Sequence, residues 1–478
     1  DAEGVLRSLM IDARTDAAEG KLDAAEKTLR AIIDAAETEG TRAEAHARLG
    51  EVLAKRDTTA AREQFEIAVD TLRRKRATVA EDLRLGFYTP VAEIFGVYVD
   101  FLVDQGLHEE ALAVTETSRA TTLEEMLELP PQTRRLDARA IAKERNATIL
   151  CYWLGRTGSY AWKVTPEAVV ATRLAEDVAI AAAAERYRLE LLGPHGFLQR
   201  TGARGAQLYT MLVEPVVRDL PRDARVIVIA DGPLHALNFE TLVVPSPRPH
   251  YWIDDVVLQT AHSLQLLARR RDERPAAEPK LLVIGNPPAV DPAFPALSQA
   301  KEEIERVERH FPRSRILRGP QATPAAYRAA SPAGYDYIHF VAHGVATRKQ
   351  PLQSAVILGR DANNQYKLYA RDIKDQPLGA RLVTISSCHG AGTRAFAGEG
   401  LVGLAWAFLG AGASNVIAAL WEVDDAVAAG MMDVVYAGIA NGTDPAVALR
   451  DAKRKILRSG RTYERPRYWA PFVLYAGS

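Results

Sequence analysis

The sequence predicts a multidomain protein, with all-α helical-hairpin repeats at the N-terminal side followed by an α/β domain with a mostly parallel sheet. Three observations carry this expectation. The chain has 478 residues, too many for one ordinary core. Its first 129 or so residues follow an almost unbroken helical pattern rich in Ala, Leu, Glu and Arg. From residue 279 onward, apolar stretches of strand length alternate with helical ones, the pattern of a sheet covered on both faces.

Within the helical region, residues 17–33 place Gly20 where a helix would break and then put Ala25, Leu29 and Ile32 on one face. Residues 49–69 repeat the logic, with Leu49, Gly50 and Leu53 in one helix and Ala61, Phe65 and Ala68 in the next. Small residues at such positions let two helices approach closely, and Phe65 fills the groove between them. A third unit, roughly 91–127, has Gly106 at its turn. The pattern resembles the tetratricopeptide repeat, with a connecting turn one residue short of the usual period; a generic helical bundle is the other reading. Stacked helical pairs present a concave surface, so a protein activator or adaptor is expected there. The basic cluster Arg73, Arg74, Lys75 and Arg76 reads as a solvated helix face.

Pro130 and Pro131 then stop the helical pattern. Residues 148–154 and 159–164 read as a hairpin of apolar strands around GRTG, with Cys151 as a small buried side chain. Helical stretches follow near 178–192 and 205–219, then a strand at 225–230 that runs into DGPLHALNFETL. Beyond residue 279 the expected order begins with LLVIGNPP as strand, 301–311 as amphipathic helix and SRILRG as strand. TPAAYRAA follows as helix, then YDYIHFVAH and RLVTISSC as strands. GLVGLAWAFLGAG is helix and NVIAALWEV strand, helices cover about 425–440 and 445–458, and WAPFVLYAG closes the chain. Residues 400–421 carry no charge and are long enough to span a bilayer. GAGASN interrupts the run, so helix, turn and buried strand are expected rather than a membrane span.

Charge excludes some classes of partner. With 60 Lys+Arg against 61 Asp+Glu the formal net charge is -1, which argues against direct binding to nucleic acid or to an anionic membrane. The two cysteines, Cys151 and Cys388, are too few for a disulfide framework and fit a reducing, cytoplasmic setting. The first residue is Asp1 and not Met, so the chain reads as a processed or partial form.

Candidate chemistry gathers at two strand ends. Residues 337–344 read YIHFVAHG and residues 384–390 read TISSCHG, so His343 and Cys388 both fall at the carboxyl end of a buried strand, where functional groups of such sheets collect. The thiolate is the nucleophilic form of cysteine, and a neighbouring imidazole can take the thiol proton and later hand one to a leaving amine. Gly344 lets a substrate approach the backbone; its N–H and that of Cys388 are candidate oxyanion donors, of which one is worth about 2.7–4 kcal/mol. Ser386, Ser387, Gly390 and Gly392 keep the surroundings of the thiol small.

FVAHG, followed by SSCHG and then AFAGEGLVGLAWAFLGAGASNVIAALWEVDD, resembles the CHAT protease family of caspase-like peptidases, and DGPLHALNFETL looks like a further hallmark. The similarity covers roughly residues 90–478. It implies a caspase-like α/β fold related to separase, and a cysteine endopeptidase with a dyad on His343 and Cys388. The implied layout is tetratricopeptide-like repeats at 1–129, a pseudo-caspase-like α/β part at 130–275 and a caspase-like catalytic part at 276–478. No phosphate-binding P-loop and no GxSxG hydrolase motif occurs.

The neighbouring residues have competing readings. His339, His343, Cys388 and His389 together would suggest zinc, but the spacing of a zinc site is absent, and neither metal nor cofactor is expected. His389 either lines the site or merely adjoins it. Glu399 either caps the following helix or shapes the cleft. WEVDD, residues 421–425, resembles a WDVTD-type segment of separases, which makes Asp425, or else Asp424, a candidate pocket floor for an Arg or Lys; the alternative is that Asp425 caps a helix. The leading function is cleavage of a specific protein partner recruited or sensed through the repeats, with regulated activity and long loops near 344–381 and 390–400 ordering when a partner binds. The alternative is a catalytically silent scaffold that binds partners through its repeats.

Overall fold

The structure is a computed structural model that describes residues 2–76, 88–126, 136–194, 196–217, 220–269, 278–345, 347, 351–386 and 400–477. The chain divides into two compact units, Asp1–Ser118 with Leu154–Tyr160, and Arg119–Trp153 with Ala161–Ser478.

The first unit holds the helices α1 (Ala2–Ala18), α2 (Leu22–Ala35), α3 (Glu39–Leu53), α4 (Thr58–Arg76), α5 (Tyr88–Asp104) and the greater part of α6 (His108–Met126). Two of its turns need a backbone that only glycine adopts cheaply: Gly20 has φ 82 between α1 and α2, and Gly106 has φ 74 between α5 and α6. Thr38 caps α3 through its hydroxyl on Thr41 N (3.2 Å), and Asp57 caps α4 on Thr59 N and Ala60 N (3.1 and 3.0 Å). The stripe Ala25, Leu29 and Ile32 is buried as the spacing predicted. A Cβ at Gly50 would stand 2.8 Å from the Phe65 ring, so the absence of a side chain on α3 is what admits the aromatic residue of α4. That ring is stacked on Tyr98 and lies 5.2 Å from Phe101, which locks α4 onto α5.

After the end of α6, the second unit holds α7 (Ala138–Arg145), the greater part of the strands β1 (Thr148–Leu154) and β2 (Ser159–Val164), and β3 (Val169–Arg173). Helices α8 (Asp177–Leu192) and α9 (Leu198–Leu212) lead to β4 (Ala224–Ile229), the short pair β5 (Val243–Val244) and β6 (His250–Tyr251), and β7 (Val256–Ala261). Then come β8 (Lys280–Gly285), α10 (Ala300–Glu308), β9 (Arg313–Arg318), β10 (Tyr337–Val341), β11 (Gly344–Val345), β12 (Ala355–Ile357) and β13 (Lys367–Tyr369). The chain finishes with β14 (Leu382–Ile385), α11 (Gly400–Gly410), β15 (Asn415–Ala419), α12 (Asp425–Ala440), α13 (Pro445–Leu457) and β16 (Phe472–Ala476).

One sheet of eleven strands runs in the order β3-β2-β1-β4-β7-β16-β15-β14-β10-β8-β9. The neighbours β1–β4, β4–β7 and β7–β16 are parallel, as are β15–β14, β14–β10, β10–β8 and β8–β9, while β15 and β16 are antiparallel. Two parallel runs of opposite direction, β1-β4-β7-β16 and β15-β14-β10-β8-β9, thus meet at that junction. Side-chain alternation sends Ile338, Phe340, Val383 and Ile385 to the face covered by α11, and Tyr337, Val341 and Leu382 to the face covered by α10, α12 and α13. Burial on both faces is why these strands read as continuous apolar runs.

Residues 400–421 form helix, turn and strand as expected, and no described helix is long and apolar enough to cross a membrane. Two expectations need correction. The stretch 344–381 is not a long loop: it contains the antiparallel ribbon β11-β12-β13. The helix expected at 205–219 is α9, which starts and ends seven residues earlier.

Candidate active site

β10 lies between β8 and β14, and its register with β14 runs Tyr337↔Leu382, Ile338↔Val383, His339↔Thr384 and Phe340↔Ile385. The ladder continues one bond past β14, from Ser386 N to Phe340 O at 2.9 Å. At the same edge Asn286, at φ 51, takes the chain out of β8 after bonding to Val341 O. These three strand ends form the floor on which His343 stands.

His343 is 4% exposed. Its Nε2 donates to the carbonyl of Pro295 at 2.6 Å, and the Phe294 ring lies 5.9 Å from its own. A carbonyl can only accept, so Nε2 carries the hydrogen and the neutral ring has its lone pair on Nδ1. The backbone of His343 is fixed as well, because Ile357 N–H of β12 donates to its carbonyl at 2.8 Å. That bond puts Gly344, opposite Val356, at the non-hydrogen-bonded position of the ribbon, with its N–H directed away from β12.

Beneath this edge runs a fully buried polar chain. His339 Nε2 meets Glu303 Oε1 of α10 at 2.9 Å, its Nδ1 lies 3.3 Å from the Tyr436 hydroxyl, and that hydroxyl donates to Thr384 Oγ1 at 2.9 Å. Burial raises the pKa of the Tyr436 phenol, so it stays a donor. His339 is therefore the inward histidine of the strand, tied to α10 and α12. Among the described residues no three His, Cys, Asp or Glu side chains gather as a metal-binding group.

The other candidates fall into two groups. Ser386 is fully buried, its Oγ without a hydrogen-bond partner among the described residues. Asp424, and not Asp425, is the cap of α12: its side chain accepts from Ala426 N and Val427 N at 3.1 and 3.2 Å. Asp425 is the first residue of that helix, and its Oδ2 accepts from the N–H and the hydroxyl of Ser298 at 3.1 and 3.2 Å. Cys388, His389 and Glu399, with Ser387, Gly390 and Gly392, lie outside the described residues.

Sequence reasoning did not find Pro295, Ser298 or Glu303. Pro295 acts through a carbonyl, which every residue owns, so its type carries no signal. Glu303 sits on an amphipathic helix among other acids, and only the position of a buried histidine opposite singles it out.

The CHAT domain family model matches residues 202–477. Among curated proteins, mouse tetratricopeptide repeat protein 28 is 37% identical over 107 residues, which is 22% of this chain and 4% of that protein. Its human counterpart is 33% identical over 107 residues with the same shares, so the chain spans only 4% of the length of these relatives. Among solved structures, a chain of the Saccharomyces cerevisiae separase–securin complex is 11% identical, with a TM-score of 0.50 over 89% of this chain and 38% of that one. The likeness is one of fold, and it agrees with the caspase-like α/β arrangement and the tetratricopeptide-like hairpins expected from the sequence.

Proposed function

The chain belongs to the CHAT domain family, and from that premise we propose that it is a cysteine endopeptidase whose catalytic pair is His343 and Cys388. The observation that carries the proposal is the 2.6 Å bond from His343 Nε2 to the Pro295 carbonyl. It supports the reading in which Nδ1 is the base, at the carboxyl end of a central strand.

In this reading Nδ1 takes the proton of the Cys388 thiol, and the thiolate attacks the carbonyl carbon of the scissile bond. The N–H groups of Gly344 and Cys388 meet the oxyanion. The imidazolium then returns its proton to the departing amine, and water releases the acyl group from sulfur. Ser386, His389 and Glu399, near the thiol in sequence, are the pocket candidates of this reading. The carboxylates of Asp424 and Asp425 are engaged on the helix end and on Ser298, which weakens the case for a preference for basic residues.

The helical unit supplies the partner site of the proposal. A cavity of about 250 Å³ in it is lined by Leu29 and Val52 together with Arg14, Arg48, Lys55 and Glu93. The curated relatives are named for tetratricopeptide repeats, and the separase chain was solved in a complex with securin. We place the enzyme in a reducing cytoplasm and its activity under the control of a protein bound to the repeats. The burial of His343 favours this control, and it equally supports a second reading, a silent scaffold.

Mapping of new protein N-termini in cells tests the proposal. Wild type is expected to generate a small set of them that is missing with Cys388→Ala and with His343→Ala. The same set appearing with both variants would remove the dyad. No new N-termini from any form, with a partner bound to the repeats, would leave the scaffold.

A further inference from the structure

The loop of residues 286–299, between β8 and α10, touches His343 in its middle and is held from both sides. On one side Arg360, in the connection from β12 to β13, donates from Nη2 to Val290 O at 3.1 Å, its guanidinium 4.7 Å above the Tyr366 ring. A turn follows, in which Asp291 Oδ1 accepts from Ala293 N at 2.8 Å and Asp291 O from Phe294 N at 2.9 Å. Phe294 and Pro295 then meet the imidazole. On the other side Asp425 Oδ2 accepts two hydrogen bonds from Ser298, three residues beyond Pro295.

We propose that Asp425 is a positioning residue for His343, acting through Ser298 and the Pro295 carbonyl; this rests on the reading of His343 as the catalytic base. The physical argument concerns orientation. A backbone carbonyl has no freedom of its own, since its direction follows from the chain on either side. Proline fixes φ at residue 295 and offers no N–H to the fold. The direction of its carbonyl is therefore set by residues 296–298, a segment held by Leu297 against the core and by the carboxylate of Asp425, whose bonds to the N–H and O–H of Ser298 are charge-assisted. If Ser298 moves, the acceptor for Nε2–H swings away, and the ring can turn or adopt the other tautomer. Misplacement by about 1 Å in a catalytic pair costs on the order of a hundredfold in rate.

The test uses the full chain with ¹⁵N-labelled histidine, the Nε2–H signal of His343 being the one lost in His343→Gln. Asp425→Ala is expected to broaden or shift that signal and to lower the rate of Cys388 alkylation by iodoacetamide roughly tenfold or more, with the melting temperature unchanged. Asp425→Asn keeps an oxygen for Ser298 and is expected to restore the signal and most of the rate. Arg360→Ala, which releases the loop at Val290, is expected to disturb the same signal. If Asp425→Ala does not fold, Ser298→Ala, which deletes one of the two bonds, carries the test with the same two outcomes.

A His343 signal that is unmoved in Asp425→Ala overturns the proposal, and so does an Asn variant as impaired as the Ala one. A cleavage preference that changes in Asp425→Asn with the signal in place also overturns it, since that is the behaviour of a pocket wall. Should wild-type Cys388 alkylate no faster than an ordinary thiol while the signal responds as expected, the dyad fails and the positioning role stands.

Discussion

His262 is a histidine that the fold keeps uncharged. Its ring stacks 5.2 Å from that of Tyr475 and meets Trp406 edge-on at 4.8 Å, and neither ring nitrogen has a hydrogen-bond partner among the described residues. Burial, and then the nearby charge of His235, hold its pKa well below the ordinary histidine value of about 6.5. The folded state therefore binds fewer protons than the unfolded chain once the pH drops below that value. Stability is fully present above it and is lost as the pH falls, by about 1.4 kcal/mol per pH unit. Melting temperatures between pH 7 and pH 5 should show this loss, and His262→Phe should flatten it. Equal slopes for the two proteins would refute the assignment. At this scale the sequence was most legible in position: a histidine followed by glycine stands just past the end of a buried strand as the sequence indicated, whereas the carbonyl of Pro295 carries no residue-type signal. The cap of α12 was read one residue late because both candidates are aspartates; the choice rests on backbone dihedrals, φ -71 and ψ 120 at Asp424, which composition does not reveal.

At the scale of elements, the helical hairpins depend on close approach. Phe65 is 1% exposed and is held between Tyr98 and Phe101, so its ring cannot retreat from a side chain introduced at residue 50. Gly50→Val is expected to destabilise the helical unit by about 1–3 kcal/mol, and Gly50→Val with Phe65→Leu to recover part of the loss; thermal denaturation of the single and double variants measures both. A single variant as stable as wild type would mean that α3 and α4 do not meet through this contact. The central strands were legible because burial on both faces leaves long apolar runs, as in β8, β10 and β14. The ribbon β11-β12-β13 escaped notice because strands of two or three residues are shorter than any periodicity can register. α9 was displaced for another reason. Its buried positions include Thr201, Gly202 and Gly205, small or polar residues that a hydrophobic pattern does not mark.

At the scale of the whole α/β unit, the sequence suggested two successive parts, and the strands of both enter one continuous sheet. A buried ion pair joins segments far apart in sequence. Lys453 of α13 is 1% exposed and bonds to Glu240, which Asn238 also contacts through Nδ2 at 3.2 Å and through Oδ1, accepting from Glu240 N at 2.9 Å. Burial pulls the Lys453 pKa down while Glu240 holds it up, so neither charge is comfortable without the other. Lys453→Met alone is expected to cost about 3–5 kcal/mol by leaving a buried carboxylate uncompensated. Lys453→Met with Glu240→Leu should recover most of that, and chemical denaturation of the three proteins decides it. A single variant within error of wild type would show that the pair is not desolvated as described.

The pairing of His343 with Cys388 is the central claim, and the pH dependence of Cys388 alkylation tests it most directly, since Cys151 is buried in β1 and the two sites separate by mass. Wild type is predicted to react well below the ordinary thiol pKa of about 8.5, and His343→Ala to move the profile back up to it. Superimposable profiles for the two proteins would contradict the account.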